Sequence, residues 1–168
     1  MKLPILFILF LSILEVSCNK STNKIEIGIS DFLHYKTPFR NKHCNSDYYY
    51  NIIIRNDSLI VNGKLKNKSG NYIGLLNQYE SENLSTLVEK MNPKNRIEKE
   101  YNPTTGMTAL ITKKNGVTLD SIVNFKIEWS ADDLKMFDYI GELICNKEMI
   151  ETKNDIYYPT YEMVRPSK

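Results

Sequence analysis

Apolar and polar positions alternate at the start of the folded sequence. Ile25, Ile27 and Ile29 fall on one side and Glu26, Gly28 and Ser30 on the other, which predicts a half-buried strand over residues 24–30. Residues 31–47 hold Pro38 and both histidines without a sustained period and read as a long loop. A second run, residues 47–55, is dense in Tyr and Ile, and Asn56-Asp57 separates it from a third over residues 58–65. Asn and Asp tolerate the backbone that a tight hairpin requires, so these two runs are expected to pair antiparallel. Residues 66–71 are polar and contain Ser69-Gly70, read as a second turn before a short strand over residues 72–76.

The period then changes. Leu84, Leu87, Val88 and Met91 recur at helical spacing behind Ser81, which is expected to cap the helix, and Asn92-Pro93 stops it. Asn102-Pro103 and Gly106 mark a turn, and residues 107–113 and 117–127 flank Asn115-Gly116, the strongest hairpin signal in the chain. Ser130-Ala131-Asp132-Asp133 has the form of a capping box with Asp in place of Glu, ahead of Leu134, Phe137, Ile140, Leu143 and Ile144. Trp129, just before it, is expected to act as a hydrophobic staple. Beyond Cys145 the chain is polar until residues 156–164, an edge strand broken by Pro159 or an ordered tail. The predicted order is β-β-β(-β)-α-β-β-α. It describes an α+β fold with an antiparallel sheet of about five or six strands and two helices on one face.

The first residues follow another logic. Met1-Lys2, an apolar run over residues 3–14 and a small-residue end before a polar stretch are the parts of a secretory signal. The apolar run is well short of the roughly 20 residues that span a bilayer as a helix. Val16-Ser17-Cys18 resembles a bacterial lipobox, with Glu15 standing where an apolar residue is usual. The expected division is therefore a signal over residues 1–17 cleaved before Cys18, a tether over residues 18–23 and one domain over residues 24–168, with a C-terminal tail from about 146. Diacylation, with further acylation by a palmitate-type chain, would place more than one chain on Cys18, which is what stable anchoring needs. Of three cysteines, Cys18 is then assigned to lipid. Cys44 and Cys145 remain as either one disulfide, worth about 3–5 kcal/mol by loop closure, or two unpaired buried thiols.

Composition adds little beyond this. The 168 residues carry a formal charge of +2, which gives no electrostatic footprint for nucleic acid. The order of Cys44, the Tyr48 strand, the Asn56-Asp57 turn, Gly63, the Ser81 helix, Asn115-Gly116 and the Leu134 helix resembles an uncharacterised family of small extracytoplasmic lipoprotein domains of Bacteroidota-type bacteria, over roughly residues 24–145. That resemblance implies a compartment and a fold and transfers no catalytic residue.

Motifs for a nucleophile elbow, a phosphate loop, a zinc helix or a redox Cys pair are absent from the sequence. His34, His43 and Cys44 match no standard zinc spacing, so no metal and no cofactor is expected. Asp138 and Glu142 lie one helical turn apart, but with Asp132 and Asp133 a solvated helix face is the plainer account. The tract Tyr48-Tyr49-Tyr50 and the group Tyr157, Tyr158 and Tyr161 offer rings for a glycan or protein, although core packing is the commoner use of such residues. The expectation is a membrane-anchored envelope domain that binds another envelope protein or a glycan, with no catalytic residues. Tyr49, Lys36, Arg40, Lys42 and His43 would form its contact surface, and inhibition of an envelope enzyme is one specific form. A small hydrolase or small-ligand binder is the competing class.

Overall fold

A computed structural model of the chain describes residues 24–31, 48–65, 68–98, 108–124 and 127–160. The elements, in order, are β1 (Ile25–Asp31), β2 (Tyr48–Arg55), β3 (Ser58–Leu65), β4 (Lys68–Leu75), α1 (Gln78–Lys90), β5 (Ile97–Glu98), β6 (Thr108–Lys114), β7 (Val117–Asn124), β8 (Ile127–Glu128), α2 (Ala131–Asn146) and β9 (Ile150–Thr152). Seven strands form one antiparallel sheet in the order β7-β6-β1-β2-β3-β4-β9, and β5 and β8 pair separately. The α+β class is as expected, while the sheet has more strands than the five or six predicted.

Turn chemistry explains the two hairpins. Asn56 and Asp57 both adopt positive φ, 51° and 58°, and Asn115 and Gly116 adopt 51° and 80°. These left-handed pairs match the twist of the strands they join. The expected turn at Ser69-Gly70 is instead part of β4, because Leu65 already faces Lys68 across the β3–β4 ladder. The connection is confined to residues 66–67, outside the described residues.

Both helices begin with reciprocal caps. Asn77, not Ser81, caps α1: its Oδ1 accepts from the Glu80 amide at 2.9 Å, and Glu80 Oε2 accepts from the Asn77 amide at 2.7 Å. An Asn followed three residues later by Glu satisfies two amides at once, whereas Ser81 lies inside the helix and donates to Asp57 Oδ1. At α2 the expected box is present: Ser130 accepts from the Asp133 amide and Asp133 from the Ser130 amide.

Strand register places Ile27, Ile29, Ile52, Ile54, Leu59, Val61 and Leu110 on one face, all essentially inaccessible. They form one core with Leu84 and Val88 of α1 and Met136, Phe137, Ile140 and Ile144 of α2. Leu134, placed by spacing on the apolar stripe, is 42% exposed instead. Trp129 precedes the cap, as a staple residue does, and its ring meets Phe137 edge-on at 5.0 Å. Past α2 the chain returns to the sheet, where β9 pairs with Asn71, Tyr72 and Ile73 of β4. Of the two readings for residues 156–164, an edge strand or an ordered tail, the strand is not formed over the described part, where Pro159 and Thr160 are helical.

Candidate functional site

One end of the sheet gathers the features with chemical interest. β1 ends at Asp31 and β2 begins at Tyr48, so the connection over residues 32–47 leaves from the same end as the β3–β4 hairpin, where Tyr48 faces Lys64 and Leu65 faces Lys68. A cavity of about 270 Å³ opens there, lined by Leu65, Tyr72, Ile144, Cys145 and Met149, with Lys68, Lys147 and Glu151 among its polar groups. Its Tyr72 hydroxyl donates to the Lys68 carbonyl at 2.7 Å, which leaves the ring edge as wall. Lys147 is held away by Glu80, with Nζ 2.7 Å from Oε2.

Cys145, in the last turn of α2, is disulfide-bonded, and its partner lies outside the described residues. Reduction, or Cys145→Ser, is expected to cost about 2–5 kcal/mol, read as a lower urea midpoint. Thiol titration of the denatured chain before and after reductant tests the bridge itself, and an unchanged count would contradict it.

A second constellation is electrostatic. Arg96, from the stretch between α1 and β5, reaches under the start of α2. Its Nε donates to Asp133 Oδ2 at 2.9 Å and its Nη2 to Asp133 Oδ1 at 2.7 Å and Asp120 Oδ2 at 2.6 Å. The Arg96 side chain is 2% exposed and that of Asp133 0%. The Trp129 ring lies 5.2 Å from the guanidinium carbon and closes the site. Burial alone would push the Asp133 carboxyl up, but hydrogen bonds from Arg96 and Ser130 outweigh it and hold the group below the usual aspartate range. Both carboxylates are already engaged with the guanidinium, so the cluster pins β7, the β5 approach and α2 together. Arg96 Nη1 is buried without a hydrogen-bond partner among the described residues.

The residues singled out by sequence are scattered. Cys18, His34, Lys36, Arg40, Lys42, His43, Cys44 and Tyr161 lie outside the described residues, as do the side chains of Tyr48, Tyr49 and Tyr50 on β2. The β2–β3 register shifts between Tyr49 and Asn51, so simple alternation does not carry through the Tyr tract. Tyr157 is 71% exposed, whereas Tyr158 is buried and its hydroxyl donates to Asn71 Oδ1 at 3.3 Å. Burial pushes the Tyr158 phenol up. Asp132 is bonded by Lys135, Asp133 by Arg96, and Asp138 and Glu142 are exposed on α2. Among the described residues no group of three or more His, Cys, Asp or Glu side chains could hold a metal ion, and no helix is long and apolar enough to cross a membrane.

Arg96 was missed because it stands in a polar stretch with no period of its own. The only signal was Asp120, an acid on the core side of β7, opposite Thr112. No protein-family model matches the chain, and no curated protein or solved structure matches it either.

Proposed function

We propose that the chain is a lipid-anchored domain of the bacterial cell envelope that works by binding another envelope component, with the loop over residues 32–47 as its contact surface. The observation that carries this reading is the disulfide at Cys145, because such bonds persist in oxidising, extracytoplasmic compartments. Topology favours Cys44 as the partner. It lies four residues before Tyr48, a reach of at most about 14 Å, and Tyr48 stands at the sheet end where Leu65 and Cys145 line one cavity. Cys18 lies seven residues before Ile25, at the opposite end of β1, and would have to spend most of its reach of at most about 25 Å on the roughly 20 Å length of that strand. A Cys44–Cys145 bridge staples the contact loop to α2, closes about a hundred residues, and leaves Cys18 for acylation.

Lys36, Arg40, Lys42 and His43 supply cationic and hydrogen-bonding groups in the sequence between β1 and β2, and connections between the elements of a rigid scaffold are where binding residues concentrate. Tyr49 stands near the loop's return to β2. An acidic surface on an envelope protein, such as the active-site rim of a wall-degrading enzyme, is the partner of matching chemistry. Mass spectrometry of the mature N-terminus is expected to find a thioether-linked diacylglyceryl group on Cys18, and an unmodified N-terminus would sink the anchor. A triple exchange of Lys36, Arg40 and Lys42 to Glu is expected to abolish a specific partner recovered from solubilised envelope by the unaltered chain. Recovery by both chains, or by neither, counts against the contact surface.

The cavity supports one second reading. Its apolar walls with the Lys68 ammonium at the hairpin suit a small apolar anion. Saturable binding of short-chain fatty acids that is lost in Lys68→Glu would favour it.

A further inference from the structure

Asn-Gly occurs twice in the sequence, as Asn62-Gly63 and as Asn115-Gly116. In this dipeptide the asparagine side chain is open to attack by the amide nitrogen that follows it, because glycine has no Cβ to hinder the approach and leaves the backbone free to turn. The two pairs share that chemistry and have opposite surroundings.

Asn62 and Gly63 lie inside the sheet. Asn62 stands in a polar row across β2, β3 and β4, between Asn51 and Asn71. Asn51 Nδ2 donates to Asn62 Oδ1 at 3.3 Å and Asn62 Nδ2 donates to Asn71 Oδ1 at 2.9 Å, so both ends of the side-chain amide are held. Gly63 is buried between Tyr49 and Gly70. Asn62 cannot turn on Gly63 unless the middle of the sheet comes apart.

Asn115 and Gly116 are exposed and make up the whole β6–β7 connection, since Lys114 faces Val117. Nothing lies within 4 Å of where a Cβ on Gly116 would stand. Two bonds hold Asn115, both to Lys24: its amide donates to the Lys24 carbonyl at 2.8 Å, and its Oδ1 accepts from the Lys24 amide at 3.0 Å. They fix the side chain on the start of β1, so ring closure toward Gly116 waits for them to break. Lys24 is itself exposed, and β7 is an edge strand of the sheet with Val117 and Leu119 exposed and a register shift at Thr112 and Lys113. Opening this end disturbs little of the core and is a local event rather than a global one.

We propose that Asn115 is a site of spontaneous modification gated by opening of the β6–β7 hairpin, and that Asn62 is protected from the same reaction by its place in the sheet. The Gly116 nitrogen attacks Asn115 Cγ and the new C–N bond closes a succinimide ring. The Gly116 proton leaves with the side-chain nitrogen as ammonia. Water then opens the ring at either carbonyl, giving aspartate or isoaspartate, and both products carry an added negative charge. Isoaspartate also puts an extra methylene into the main chain. A two-residue turn that holds left-handed φ at both positions, 51° and 80°, cannot close over it in the same register. The reaction thus marks the age of the molecule at one hairpin and loosens β7 there.

Incubation of the full chain at mildly alkaline pH, followed by peptide mapping that resolves isoaspartate from aspartate, tests this. In native buffer position 115 is expected to convert at least about tenfold faster than position 62, the margin between local and global opening, whereas in urea the two convert at similar rates. Equal rates in the native protein, faster conversion at 62, or no conversion at 115 while the urea-unfolded chain converts, overturns the proposal. Lys24→Pro removes the amide that holds Asn115 Oδ1 and is expected to speed conversion at 115 severalfold without changing 62. A rate at 115 that this variant leaves unaltered overturns the gate. If the variant does not fold, position 62 speeds up as well, and the native comparison of the two positions decides.

Discussion

Arg96→Ala is expected to destabilise the domain by about 3–5 kcal/mol, the cost of breaking a buried ion pair by removing one partner. At about 3 °C per kcal/mol for a domain of this size, Tm falls by roughly 10 °C. The loss is large because Asp133 is fully buried and both of its oxygens accept from Arg96. Asp120 loses its bond at the same time, and β7 loses its tie to α2. Lysine cannot reproduce the fork of Nε and Nη2, so Arg96→Lys is expected to recover only part of the loss.

The pH dependence carries the sign of the effect. In the native protein the Asp133 pKa is lowered, so its contribution is present above the ordinary aspartate value and is lost as the pH falls through the lowered one. In Arg96→Ala the burial of Asp133 is no longer outweighed, its pKa moves up, and protonation relieves the penalty. The Tm gap between the two proteins should therefore narrow from about pH 7 to about pH 3.5. Calorimetry at a series of pH values checks this, and a gap that stays constant would show that the carboxylate is not the source of the loss.

Phe137→Ala is the second large effect, expected to cost about 3–5 kcal/mol as a large aromatic removed from a packed core. Phe137 is fully buried, and its ring meets Trp129 at an interplanar angle of 89°. Because Trp129 also lies against Arg96, the void left by Phe137 loosens the lid of the ion cluster. The chain has a single tryptophan, so its emission reports on this site alone. A red shift in Phe137→Ala is expected together with a lower urea midpoint. The double variant with Arg96→Ala should lose less than the sum of the two, since both act through one ring. Full additivity would mean that the two sites are independent.

Local chemistry was legible in the sequence where it acts within a few residues. The Asn56-Asp57 and Asn115-Gly116 turns and the Ser130 to Asp133 box are decided by short-range hydrogen bonds and by which residues accept positive φ. Ser81 was a poorer choice than Asn77 because the signal that matters is the pair Asn77 and Glu80, not a lone hydroxyl ahead of an apolar run. Ile150 to Thr152 carries too short a pattern to announce a strand, and it becomes one only because β4 offers a free edge at Asn71 to Ile73. The Arg96 cluster left only one trace, an acid at Asp120 on the core side of β7, since Asp120 and Asp133 come to it from distant segments. The asparagines of the polar row appeared as isolated polar positions, and register alone turned Asn51, Asn62 and Asn71 into a ladder. Of the contact surface only composition was readable, because the residues proposed for it fall in a loop without a period.

The position of β1 also sets the tempo of folding. The hairpins of β2, β3 and β4 close over a few residues, but β1 sits in mid-sheet and its second neighbour is β6, so Ile25 must wait for Lys114. The sheet cannot be completed while the chain is still short, and pairings of such long sequence separation form slowly. Keeping β1 unpaired on one side until β6 is available is a topological delay built into this strand order.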